Sequence, residues 1–79
     1  MTVEIKNSHM SNDRAIMQVK RRLKLSNNVT IYRIGEDCNE KITIDELKNI
    51  IDGLYYICQI NNGYLFEEDC DYIIKIIFN

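Results

Sequence analysis

Val19–Gly35 reads VKRRLKLSNNVTIYRIG, and the reading of this stretch decides the fold class. Its first part is the end of a basic amphipathic helix. Ser26-Asn27-Asn28 is a polar turn. Val29–Ile34 is rich in β-branched residues, which suit a pleated strand, and Gly35 closes it. A helix, a turn and a strand in this order point to a small α+β domain.

The N-terminal side extends the pattern. Thr2–Lys6 (TVEIK) alternates apolar and polar residues and predicts a short strand. Asn7–Met10 is a polar connection. Ser8-His9-Met10 before a second plausible start also has the look of a cloning junction, although TVEIK reads as a genuine strand. Ser11 is placed to cap a helix from Asn12 to about Lys24, with Asp13 at its positive end. Ile16, Val19 and Leu23 recur at spacings of three and four, which makes one buried stripe. Arg14, Lys20, Arg21, Arg22 and Lys24 occupy the rest of that helix.

Beyond Gly35, Glu36–Glu40 is a polar loop, and Lys41-Ile42 is placed to pair back as a short antiparallel strand. Thr43-x-x-Glu46 is a capping box, with Ile42 and Leu47 as its hydrophobic staple. The helix that follows presents Leu47, Ile50, Ile51 and Leu54 at helical spacing. Gly53 can stop it and release Tyr55–Ile60 (YYICQI) as a strand; alternatively the helix runs to Ile60. Asn61-Asn62-Gly63 is a turn. Residues 66–78 carry two patterns. YIIKIIF has strand composition, yet Phe66, Cys70, Ile73, Ile74 and Ile77 share a helical stripe behind an acidic start at Glu67-Glu68-Asp69. The helical reading is preferred. The expected order is then β-α-β-β-α-β-α. With a long second helix and a final strand it becomes β-α-β-β-α-β, a ferredoxin-like split βαβ.

Seventy-nine residues make one domain with a small core. No apolar run approaches the roughly 20 residues of a membrane span, and the N-terminus lacks a signal-peptide layout. The chain is therefore expected in the cytoplasm, with no membrane partner. Three cysteines, Cys38, Cys58 and Cys70, are an odd number and read as reduced, buried thiols. Charge is unevenly placed. Residues 1–35 hold seven basic and two acidic side chains, and residues 36–79 hold three and ten. A basic first helix can steer an acidic partner.

No sequence motif supplies chemistry. A single histidine leaves no Ser-His-Asp or Cys-His arrangement to argue from. The cysteines lack zinc-site spacing. Gly35–Glu46 echoes a calcium loop, but Gly35 stands where an acid is expected and Glu40 where glycine is expected. No cofactor or metal is implied, and the chain is not expected to be an enzyme. A helix-turn-helix over RRLKLSNNVTIYRIG would make it a DNA-binding regulator, held by basic contacts to phosphates. The β-branched composition of 29–34 and the net acidity weigh against that, so nucleic acid is the less favoured partner.

One family comes into view at fold level. The seven-element order, with VEIKN at 3–7, Ala15 with Val19-Lys20, VTI at 29–31, Gly35, the strand YYICQI, the turn at Gly63 and the acidic start and apolar stripe of the last helix, resembles HPr, the small phosphocarrier of the bacterial sugar phosphotransferase system. The resemblance implies an open-faced sandwich of four antiparallel strands with three helices on one face. It also implies a phosphorylated residue at the start of the first helix, where this chain offers Ser11 or, two residues earlier, His9. The family's proline is missing, and Asp13 would repel a phosphate. Thr43 stands near the family's regulatory serine and is better explained as a cap. What the resemblance leaves is a docking surface on a larger protein. By resemblance it would include Ser11 and Arg14 of the first helix with Ile44, Leu47 and Lys48 near the second, and the basic face of the first helix adds Arg21 and Arg22. The expected function is a non-enzymatic regulator or inhibitor. A phosphocarrier is one alternative, and a phage-encoded anti-defence inhibitor belongs to the same class of small interaction proteins. The Asn-, Ile- and Lys-rich composition suggests an AT-rich bacterial or phage genome.

Overall fold

The cap at Thr43 forms as its sequence implies: Thr43 Oγ1 accepts the backbone N–H of Glu46 at 3.2 Å. It opens a helix of 17 residues, Ile44–Ile60, in a computed structural model that describes residues 1–7, 11–66 and 68–79. The elements are β1 (Thr2–Ile5), α1 (Asp13–Leu23), β2 (Val29–Ile34), β3 (Asn39–Ile42), α2 (Ile44–Ile60) and β4 (Ile73–Phe78). The chain is an α+β protein with one open sheet of four antiparallel strands in the order β1-β4-β2-β3.

These pairings interleave two units. β1 and β2 both run antiparallel to β4, so they are parallel to each other with β4 between them and α1 joining them. β3 and β4 are likewise parallel, with β2 between them and α2 as their connection. β4 and β2 are therefore the interior strands. Only β2 and β3 are joined by a tight hairpin, in which the N–H of Gly35 donates to the carbonyl of Cys38 at 2.6 Å.

Strand alternation places Val3, Ile5, Ile31, Ile42, Ile74 and Ile76 on one side of the sheet, where all six are buried. Ile16, Val19 and Leu23 of α1 and Leu47, Ile51, Leu54 and Cys58 of α2 close over them. Both helices thus pack on one side of the sheet. Ile42 and Leu47, the expected staple, both lie in this core.

Three expectations change. The last segment is a strand, not a helix: Ile73–Phe78 pairs with β1 on one side and β2 on the other. Its isoleucine-rich composition suits a strand paired on both edges, and here that composition outweighs a helical stripe whose first member, Phe66, is half exposed at 51%. Tyr55–Ile60 is helical. The stripe Leu47, Ile51, Leu54, Cys58 carries α2 straight through Gly53, because tertiary burial overrides both the glycine and the β-rich composition. The element order is consequently β-α-β-β-α-β, the second of the two orders the sequence allows, and two helices are present among the described residues rather than three. Finally, α1 starts one residue later than expected, and Asn12 rather than Ser11 is its N-cap, without a side-chain cap hydrogen bond.

The turn after α2 locks this arrangement. Asn62 has φ 56° and Gly63 φ 90°, the left-handed region that glycine tolerates. Gly63 also lies against the start of α1: a Cβ there would collide with Ser11 Oγ and sit 3.2 Å from Ser11 Cβ.

Candidate docking groove

α1 and α2 lie side by side on the sheet, and their seam leaves a groove of about 260 Å³. Leu23 and Ile51 form its floor; Lys20, Lys24 and Lys48 stand around it with Asp52. The sequence explains the rim. Lys20 and Lys24 are four residues apart and share one flank of α1. Lys48, one position after the buried Leu47, turns toward the same seam from α2. Lys20 is partly spent: its Nζ lies 3.3 Å from Asp52 Oδ1 and 4.5 Å from the ring centroid of Tyr55. Lys24 and Lys48 are exposed. The 100° step of a helix carries the basic flank outward from Lys24 through Met17 to Arg21 and Arg14, all exposed.

The residues singled out in the sequence therefore separate. Lys48 lines the groove, whereas Arg14 and Arg21 fall on the outer face of α1, about opposite its buried stripe, and do not line it. Arg22 occupies the opposite flank of α1, where its guanidinium lies 5.7 Å from the Phe78 ring centroid. Ile44 is half-buried against the core. Leu47 is fully buried and offers no surface to a partner, which corrects its place in the docking set. The sequence marks Lys20 and Lys24 only as part of a charged helix face. Their approach to Lys48 depends on how α1 and α2 pack, which no local pattern encodes.

The start of α1 is arranged differently from a phosphate site. Ser11 Oγ donates to Asp13 Oδ1 at 2.5 Å, and the same oxygen accepts the N–H of Arg14 at 2.9 Å. The Ser11 hydroxyl, with the Arg14 amide, holds the Asp13 carboxyl below its ordinary value. The helix N-terminus already has its anion in Asp13, and a phosphoryl group on Ser11 would meet that negative charge. His9 lies outside the described residues. Val29–Ile34 is a strand, so the helix-turn-helix reading lacks its second helix.

A larger open cleft, about 890 Å³, lies at the other end of the sheet. Lys6, Asn7, Arg33, Glu36, Cys70 and Tyr72 contribute to it. Arg33 is held by an ion pair to Glu40 and stands 5.8 Å from the Tyr72 ring centroid. Burial pushes the thiol of Cys70 and the phenol of Tyr72 up, so both stay neutral at physiological pH. The Cys70 thiol donates to the carbonyl of Tyr72 at 3.0 Å. No group of three or more His, Cys, Asp or Glu able to hold a metal occurs among the described residues. No described helix is long and apolar enough to cross a membrane.

Comparison with protein-family models, with curated proteins and with solved structures returned no match, so the fold and the two depressions just described are what bear on function.

Proposed function

We propose that the chain is a non-enzymatic interaction module, a regulator or inhibitor, that docks an acidic segment of a larger protein in the groove between α1 and α2. One observation carries this reading: three lysines from two helices stand around an apolar floor with a single carboxylate among them. Apolar floor and charged rim together resemble the centre and margin of a protein interface. The cationic rim would speed encounter with an acidic partner and fix its orientation. Arg14 and Arg21 extend the field along α1. An HPr-like origin is consistent with four antiparallel strands covered by helices on one side, and it would supply the scaffold without its phosphate chemistry.

The test is capture of a partner by the tagged protein from lysate of its source cells, set against a variant carrying Lys24→Glu and Lys48→Glu. The expected partner is retained by the unmodified protein and by an Arg22→Glu control, and is lost with the double variant. Equal capture by all three proteins would remove the groove from the docking surface.

A further inference from the structure

The side of the sheet away from the helices has its own chemistry. None of the strand residues that point to it is buried. Reading across the sheet in the order β1-β4-β2-β3, one row is Glu4, Lys75, Tyr32, Lys41. Glu4 pairs with Lys75, Lys75 with Tyr32, and Tyr32 with Lys41. On one side of this row lie Thr2, Ile77 and Thr30; on the other lie Ile73 and Ile34. Three isoleucines and a tyrosine thus occupy the middle of an uncovered surface, with opposite charges at its two edges.

We propose that this surface binds a second copy of the chain, face to face, about a twofold axis that runs parallel to the strands between β4 and β2. Such an axis reverses the strand order, so β1 of one copy lies over β3 of the other and β4 over β2. A twofold contact must be complementary to itself. This row meets that condition at each place. Glu4 faces Lys41 of the other copy, Lys75 faces the ring of Tyr32, and both pairs occur twice. In the flanking rows Ile73 meets Ile34 and Ile77 meets Thr30. Lysine over a tyrosine ring is an attractive pair. Packed sheets cross at about 30°, which displaces the outer strands by roughly 4 Å, within the reach of a lysine side chain. Lys6 lies 3.8 Å from Glu4, an exposed contact of little strength that a facing Lys41 can share or replace. An anionic partner such as nucleic acid would instead meet Glu4 at one edge. The helix groove points the other way and stays open in such a dimer.

Four strands about 4.8 Å apart, two of six residues and two of four at about 3.4 Å rise, make a face of about 330 Å² per copy. Its total, about 650 Å², falls short of the 1,200 Å² or so of a stable interface, so the dimer is a weak one that shows itself only at high protein concentration.

Sedimentation equilibrium from about 10 µM to 1 mM, where a weak dimer is populated, tests this. The unmodified protein is expected to shift from monomer to dimer. Glu4→Lys alone and Lys41→Glu alone each set like charges opposite one another and are expected to weaken the dimer about tenfold or more, by roughly 1.4 kcal/mol. An equimolar mixture of the two variants restores opposite charges at both contacts and is expected to recover dimer. Both residues are exposed, and circular dichroism melting checks that the variants are folded. A protein that stays monomeric throughout would overturn the proposal, and the face would then serve some other partner. So would single variants that dimerise like the parent, or a mixture no stronger than its parts.

Discussion

The backbone N–H of Asn12 donates to the carbonyl of Gly63 at 2.8 Å, so the turn that ends α2 closes over the start of α1. The N–H of Gly63 in turn donates to Cys58 at 2.6 Å. Gly63 is therefore fixed from both sides in a left-handed conformation, with Ser11 where a side chain would go. Gly63→Ala is expected to cost about 2–3 kcal/mol, from backbone strain and the collision together. Thermal unfolding would show it as a fall of roughly 10–20 °C in a domain of this size. An unchanged Tm would mean that Ser11 moves aside freely.

Gly53 makes the opposite case. It lies inside α2, and a Cβ built there meets nothing within 4 Å. Gly53→Ala removes unfolded-chain entropy without a new clash, and is expected to stabilise by about 0.5–1 kcal/mol. Chemical denaturation read at equal slope gives the difference, and a loss of stability would show that the helix needs this glycine.

The three thiols should react in a fixed order. Cys38 is exposed, whereas Cys58 and Cys70 are buried. Burial pushes both buried thiols above their ordinary value, which leaves less thiolate to react. A colorimetric thiol assay at pH 8 should therefore count one fast sulfhydryl per native chain and three in denaturant. Two fast thiols without denaturant would mean that the sheet end around Cys70 opens readily.

Asp13 links the start of α1 to pH. Its carboxyl titrates below the ordinary 3.8, chiefly because Ser11 donates to it. A group depressed in the folded state stabilises it fully above the unfolded-state value, and that contribution is lost as pH falls through the folded-state value. Ser11→Ala should move the Asp13 titration up toward 3.8, followed by carboxyl carbon NMR, and make acid unfolding less steep in this range. A titration that stays low in the variant would assign the shift to the Arg14 amide.

Much of this fold can be read locally. Thr43 and Glu46 announce α2, the stripe Ile16, Val19, Leu23 sets the inward side of α1, and Val29–Ile34 is a strand both by composition and in fact. What misleads is the segment after Ile60. Ile73–Phe78 is apolar at nearly every position, with Ile74 and Ile76 in the core and Ile73 and Ile77 on the uncovered side of the sheet, and an apolar run has no period of its own. The acidic residues before it imitate a helix start. The groove is only partly legible for a related reason. Lys48 can be named from its charge and its place in the first turns of α2, but Leu47 also fits a docking set until the sheet is seen beneath it. The convergence of Lys20, Lys24 and Lys48 exists only once β3 returns the chain for α2 to lie beside α1.

The interleaved strand order also sets a timetable for synthesis. β4 is the last of these elements to emerge from the ribosome, yet it is the strand on which β1 and β2 both pair. Before it arrives, the nascent chain holds two helices, a lone strand and the β2–β3 hairpin, with Ile5, Ile16 and Ile31 lacking the wall that Ile74 and Ile76 provide. Contacts of such long sequence separation slow closure of the sheet. The domain is thus committed to folding late, when β4 has cleared the exit tunnel. In that interval the uncovered edges of β1 and β2 are most open to proteases and to chaperones.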